Sequence, residues 1–510
     1  MLIDGASAKS AYAKMEADRS PYLERAKQVA RLTLPHILTE PGNRGATLPT
    51  PYQSVGARGT SSLSSKLLMA LFPPSQSFMR LDVSDLALEN LGQGDIRAEV
   101  ENSLAGIEQT TMKSLESRSL RPYFHECIKH LVIAGNVLLY LGPKVRVFGL
   151  DRFVLKRDPA GNLLCAIAKE CVSPKMLSPE MQMAVASKLS GEGELQRDSL
   201  DIYTAVCRRD ADTYEVWQEV CEVVIPESQG TYKEDDLPWI PLRMEPISGE
   251  SYAYGYAASQ LGDLASLEGL MKALVEASAA SSRLVFLVSP TATTKVDQLN
   301  RCPNGGFVSG MPDDVVALKV DKAADMSVAF QAIERLTQSL GFAFLLNQSV
   351  QRSGERVTAE EIRFLAQELE DVLAGTYALL AQEFQLRVVK VVLKDLEKRK
   401  EIPKLPPSVK PVIVTGIEAL GRGHDLSKLD AFVAGSEQIL GPQVVAQYLN
   451  VSNYLIRRAT ALGLETKDLI RSQEEVQAQQ AQAAQASMAE KVAPEAVRQI
   501  GNAVMQKPAQ

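Results

Sequence analysis

The chain has 510 residues, 55 Lys and Arg against 62 Asp and Glu, and a formal net charge of −7, with 45% hydrophobic and 23% charged residues. That apolar content excludes a wholly disordered chain, and the acidic balance argues against a protein that binds nucleic acid through bulk positive charge. No apolar run reaches the ~20 residues needed to cross a bilayer, since the most apolar stretch, Leu131 to Leu141, is short and holds Gly135 and Asn136.

The N-terminus, MLIDGASAKSAYAKMEADRS, has no basic start followed by an apolar stretch, so no secretory signal is expected. At ~100–200 residues per domain the length suggests two to four domains. Cys127, Cys165, Cys171, Cys207, Cys221 and Cys302 make no disulfide framework and read as buried, reduced thiols of a cytosolic compartment.

In chain order, Ala6 to Gln28 reads as an amphipathic helix carrying Tyr12, Met15 and Tyr22 among charges, and Pro35 ends a following helical stretch. A Gly/Pro/Thr-rich loop runs from Glu40 to Pro51. Val55 to Leu71, rich in Ser, Ala and Leu, predicts a helix stopped by Pro73-Pro74. Phe78 to Val83 predicts a strand, Gly94 to Ser117 a charged helix, and His125 to Leu139 a helix after Pro122.

The texture then turns β-like from Val145 to Pro246. Arg146–Leu150, Leu163–Lys169, Ile202–Arg208 and Tyr214–Val224 alternate, with turn signals such as Asp158-Pro159-Ala160-Gly161-Asn162 between them. A helix over Ser259–Leu284, a Pro/Gly-rich insert from Val285 to about Asp325 and a helix over Ser327–Asn347 predict a helical hairpin with a folded tip.

A polar loop, Gln348 to Arg356, precedes Thr358-Ala359-Glu360-Glu361, which has the form of a capping box. From there Ile362, Leu365, Leu369, Val372, Leu373, Leu380 and Phe384 keep helical spacing, and the pattern continues to Lys400. About 40 residues at 1.5 Å each would make a rod of about 60 Å. Gly375 within it predicts a bend or a close approach, and the basic residues at its end suit the helix dipole. Val412–Thr415 reads as a short strand, followed by a helical region to about Leu464. The Ala/Gln-rich tail from Ser472 is open between a peripheral helix and partial disorder.

Catalytic signatures are near misses. Gly416-Ile-Glu-Ala-Leu-Gly421 begins with P-loop spacing, but Arg422 and Gly423 stand where the phosphate-binding Lys and the Mg²⁺-binding hydroxyl belong. His125 and His130 are five residues apart rather than four, so they should splay around a helix instead of sharing a metal. No catalytic residue, metal site or cofactor is assigned.

Five blocks, in this order, then identify a resemblance: YQSVGARGTSSLSSKLLMALFPPSQSFMRL (Tyr52 to Leu81), LVIAGNVLLYL (Leu131 to Leu141), GESYAYGYAASQLGDLASLEGL (Gly249 to Leu270), QRSGERVTAEEIRFLAQELEDVLAG (Gln351 to Gly375) and GIEALGRGHDLSKL (Gly416 to Leu429). They resemble the corresponding segments of portal proteins, or head-to-tail connectors, of short-tailed bacteriophages of the podovirus and autographivirus type, over about residues 8 to 470. The tail departs from that pattern.

The resemblance implies an α+β, mainly helical portal fold: an α+β wing over 1–258, stem helices at 259–284 and 327–347, and a small β-containing clip at 285–326 between them. A channel loop at 348–356, a return to the wing at 357–424 with the long helix and following strand, and a helical crown with the tail at 425–510 complete it. It further implies a homo-oligomeric ring, typically of twelve subunits, at one capsid vertex of the virion, built from chains made in the host cytoplasm. The ring would pass double-stranded DNA non-specifically and would meet the terminase large subunit (the packaging ATPase), a tail adaptor, the major capsid and scaffolding proteins and internal core proteins. No membrane is involved. Two rival readings are a DNA-processing packaging enzyme and a protein-only scaffold.

By the same resemblance, Arg352, Gly354 and Arg356 are candidate channel-loop residues. Ring symmetry would turn each arginine into a circle of charge that touches phosphates without reading bases. On the residues alone, Arg352, Glu355 and Arg356 read first as exposed pairs worth under ~1 kcal/mol, and it is the resemblance that favours DNA contact. Lys272 and Arg283 on the first stem helix are candidates for DNA or subunit contact, and Lys295, Asp297, Arg301, Asp313 and Asp314 in the clip for partner binding.

Overall fold

The computed structural model describes residues 7–39, 48–74, 77–83, 94–188, 199–281, 285–318, 323–346, 368–369, 372–373, 375–414, 430–441, 444, 449, 451, 454–455 and 458. The chain divides into two compact units, Met1–Thr415 and Gly416–Gln510.

The first unit opens with helix α1 (Ala8–Leu32), whose first turn is capped by the Ser7 hydroxyl accepting from the Ser10 amide. α2 (Val55–Leu71), strand β1 (Met79–Val83) and α3 (Gly94–Ser117) fall where the sequence places them. β1 pairs antiparallel with a strand far along the chain, Val409–Ile413, so that Leu81 faces Pro411. In a two-stranded sheet Pro411 lies on an edge, where a missing amide is tolerated.

The predicted helix at His125–Leu139 is corrected. α4 covers Arg121–Ala134, with Pro122 in its first turn, and ends at Gly135. Gly135 has φ +74°, and a Cβ there would stand 2.2 Å from the Tyr254 carbonyl carbon, so glycine is required. The following residues form β2 (Asn136–Tyr140), between β3 (Arg146–Gly149) and the later Trp239–Arg243 strand. Both readings bury the same apolar run; pairing on both edges selects the strand.

β4 (Phe153–Arg157), not anticipated from the alternation, starts a five-stranded antiparallel meander with β5 (Leu163–Val172), β6 (Leu200–Asp210), β7 (Thr213–Val220) and β8 (Val223–Lys233). The run expected as one strand, Tyr214–Val224, is two. Cys221 and Glu222, both left-handed (φ +48° and +63°), form a two-residue hairpin between β7 and β8. Also unanticipated is α5 (Pro179–Lys188), whose Met181 and Val185 pack on Leu200, Ile202 and Val220.

Cys165 and Cys207 stand opposite each other on β5 and β6 and are joined as a disulfide. That corrects the expectation of reduced thiols throughout. Sheet register, invisible in the spacing, brings the two sulfurs together, beneath Ala8, Ala11 and Tyr12 of α1.

β9 (Trp239–Arg243) completes the three-stranded sheet, and β10 (Glu245–Pro246) pairs with β11 (Ala253–Tyr254). A single turn, Tyr256–Ser259, leads to α6 (Leu261–Ser281). β12 (Val285–Val288), α7 (Val296–Arg301) and β13 (Val315–Leu318) make the insert, and α8 (Ala323–Ala343) follows.

The long helix is described from α9 (Gly375–Leu380) through a π-helical segment, Ala381–Leu386, to α10 (Arg387–Lys398), before β14 (Val409–Ile413). The capping box at Thr358 and the helix start lie outside the described residues. The irregularity expected at Gly375 falls instead on the π-helical segment, and a Cβ at Gly375 would meet nothing within 4 Å. That segment turns both Phe384 and Gln385 inward. Phe384 completes an aromatic cluster with Phe72 and Phe124 at centroid distances of 5.0 and 5.2 Å. The last carbonyls of α2 are met by side chains: Ala70 by Tyr377 Oη, Leu71 by Gln385 Nε2 and Phe72 by Arg121 Nη1. Lys390 and Lys398 of α10 pair with Asp235 and Asp236 ahead of β9, so the basic end of the helix is used in packing.

In the second unit, residues 430–440 are helical. Tyr454 donates to Asp430 at 2.6 Å, and Arg458 lies 3.4 Å from the same carboxylate. The near-P-loop, Gly416 to Gly423, and the tail from Ser472 lie outside the described residues.

Candidate functional site

α6 and α8 pack as a helical pair, α8 against α2 and α6 against α1, and β12 and β13 between them pair antiparallel, Val285 with Leu318 and Val288 with Val315. The pair is buried at its base, through Leu264, Leu267, Ile333, Leu340 and Phe344. Glu268 of α6 fastens that base by accepting the backbone amides of Tyr52 and Gln53 at 2.9 and 3.1 Å. Beyond the base the helices expose apolar side chains: Val275 is 48% exposed, Val328 68% and Phe330 61%. Such a surface, on two helices of one hairpin, is what a lateral neighbour would cover.

Charge on these helices is sparse and tilted acidic. α6 carries Asp263, Glu268 and Glu276 against Lys272, and α8 carries Asp325 and Glu334 against Arg335. Lys272 is exposed, with Nζ 4.0 Å from Glu276 Oε1 one turn on. Such a pair is worth little and leaves the ammonium open to other contacts. Arg283, Arg352, Gly354 and Arg356 lie outside the described residues.

The insert separates its predicted residues into two kinds. Lys295, Asp297, Arg301 and Asp313 are exposed, the first three on and just before α7. Asp314 is turned inward. Its Oδ2 accepts the Thr293 and Thr294 amides at 3.0 Å each and their hydroxyls at 3.0 and 2.7 Å. These four bonds, the Thr294 hydroxyl foremost, hold the carboxyl below its usual range. Asp314 therefore shapes the loop that presents its neighbours.

Two further features were not read from the sequence. Lys66 of α2 is 9% exposed and reaches the Leu345 carbonyl and Glu368. The available signal was that Lys66 is the sole charge between Arg58 and Arg80. The other is a cavity of about 370 Å³ lined by His36, His125 and His130 with Glu126, Lys129, Asp151 and Arg152. His125 and His130, expected to splay, both reach it. Among the described residues no three His, Cys, Asp or Glu side chains gather as a metal site. Burial pulls the His130 pKa down to about 4, with repulsion from Arg152 and His36 adding to it, so the ring is neutral at ordinary pH.

The family described as bacteriophage head to tail connecting protein matches residues 6–470. The portal protein of Escherichia phage T7 is 39% identical over 486 residues, 93% of this chain and 90% of its own length. That of Enterobacteria phage T3 is 39% identical over 92% of this chain and 89% of its own. That of Enterobacteria phage SP6 is 31% identical over 82% of this chain and 81% of its own.

Proposed function

The chain belongs to the bacteriophage head-to-tail connecting protein family, and from that premise we propose that it is a portal subunit. Copies of it close into a ring at one capsid vertex, through which the double-stranded genome is packaged and later ejected, and to which motor and tail attach. The observation that carries this reading is the collinear similarity to portal proteins over nearly the whole chain. The apolar flanks of α6 and α8 add support, because adjacent subunits in a ring would bury them.

In this reading α6 and α8 are the stem, the insert between them is the clip, residues 348–356 are the channel loop and the region after 424 is the crown. The terminase ATPase and the tail adaptor meet the clip in turn. The wing faces the capsid and scaffolding proteins, and internal core proteins lie on the head side. The subunit is non-enzymatic, and the energy for translocation comes from the separate motor.

Physics favours a lining of this character. Duplex DNA carries about one charge per 1.7 Å of axis, and every neutralised phosphate adds affinity and salt dependence. A basic wall would grip the genome; a stem in which carboxylates outnumber cations lets it slide. Arg352 and Arg356 then form rings that touch passing phosphates, and Lys272 and Arg283 of the stem meet DNA or the neighbouring subunit.

Electron micrographs of the purified protein test the ring, with closed particles around a central hole expected and a stable monomer under all conditions overturning it. Heads assembled with Arg352→Ala or Arg356→Ala test the loop. The expected result is intact rings with less DNA packaged or retained; collapse of ring assembly instead would make the arginine structural. Metal-dependent DNA cleavage by the pure protein would favour the packaging-enzyme reading.

A further inference from the structure

α8 ends in an unusually well-tied terminus. Leu345 is left-handed at φ +56°, the Leu346 amide bonds the Gly341 carbonyl at 2.7 Å, and the Tyr256 hydroxyl donates to the Ala343 carbonyl at 2.8 Å. Phe344 lies against Gly59 of α2, where a Cβ would stand 2.6 Å from its ring. Seven residues further along, on the same face of α2, stands Lys66. Its Nζ donates to the Leu345 carbonyl at 2.9 Å and lies 3.5 Å from Glu368 Oε2. Both side chains are nearly buried, at 10% and 9% exposure.

Leu345 and Glu368 flank the segment 347–367. A single ammonium therefore joins the chain just before that segment to the chain just after it. A buried lysine demands a compensating charge, and a buried carboxylate likewise, so the pair has a strong preference for this one arrangement. We propose that Lys66 is a positioning residue: with Glu368 it ties the end of α8 and the chain at 368, the described ends of the stretch that holds the channel loop, to one point on α2. The role of that loop rests on the portal reading; the staple itself rests on the geometry around Lys66.

Hydrogen exchange of assembled rings, read by mass spectrometry, tests it. Lys66→Met keeps the length of the side chain but removes its charge and donors. Exchange in peptides spanning 340–346 and 368–380 should rise about tenfold, while peptides from β5 and β6 stay within about twofold of the unaltered protein. Heads built with the variant should retain less DNA. Unchanged exchange in those first two peptides, or a uniform rise across the chain, overturns the proposal. If Lys66→Met does not assemble, Glu368→Gln, which keeps shape and removes the charge, is read by the same criteria. Arg352→Ala heads, run in parallel, test the channel reading separately: full DNA retention there counts against the loop's role and leaves the exchange result to decide the staple.

Discussion

Arg243 holds Glu383 with two nitrogens, Nη2 at 2.7 Å and Nε at 2.9 Å from Oε1, which ties β9 to the π-helical segment 140 residues later. Both side chains are mostly buried, at 14% and 23% exposure. Pairing of this two-pronged kind is stronger than a surface ion pair because neither partner is fully hydrated. Glu383→Ala should cost about 1.5–3 kcal/mol, in the range of hydrogen bonds to charged groups. In a double-mutant cycle with Arg243→Ala, followed by thermal unfolding, the two losses should be clearly less than additive.

Asp314 predicts an acid-labile insert. Its carboxyl is held below the ordinary aspartate value of 3.8 by four donated hydrogen bonds. A depressed folded pKa contributes stability that is fully present above the unfolded value and is lost as pH falls through the folded one. Protection of the Thr293 and Thr294 amides, relative to exchange of an unstructured chain at the same pH, should therefore fall below pH 3.8. Asp314→Asn should show the lower protection already at neutral pH, with no further acid-linked loss.

His130 acts in a higher window. Its pKa falls from 6.5 to about 4 in the folded chain, chiefly through burial. Protonation is therefore easier in the unfolded chain, and the stability it contributes is present above pH 6.5 and is lost as pH falls towards 4. The loss is on the order of 3 kcal/mol across that window. Unfolding curves of the wild type and His130→Gln, measured at steps through the window, should converge as the pH drops, because the variant lacks this proton.

Leu369 is fully buried in the main apolar cluster, with Leu373, Tyr377 and Leu380 further along the same helical face. Leu369→Asp places a charge there without a partner, a change costing more than about 4 kcal/mol. The expected outcome is loss of soluble protein or of ring assembly, read by size-exclusion chromatography. Leu369→Met should leave both nearly unchanged, since volume-conserving core swaps cost less than about 1.5 kcal/mol.

What the residues determined by themselves was local. Val55–Leu71 and Gly94–Ser117 could be read to their ends because helical spacing and stop signals lie within a few residues of each other. The resemblance carried by Gln351–Gly375 and its companion blocks supplied the family. What the tertiary structure decided was pairing at a distance. Asn136–Tyr140 is a strand because β3 and β9 flank it, the latter about a hundred residues on. Cys221 and Glu222 turn the chain without the glycine that usually announces such a hairpin. Cys165 meets Cys207 through sheet register, and Lys66 meets partners 279 and 302 residues away. Local spacing reports propensity and amphipathic faces; which faces and charges meet depends on the free energy of burying them together, and that exists only once the whole chain has closed.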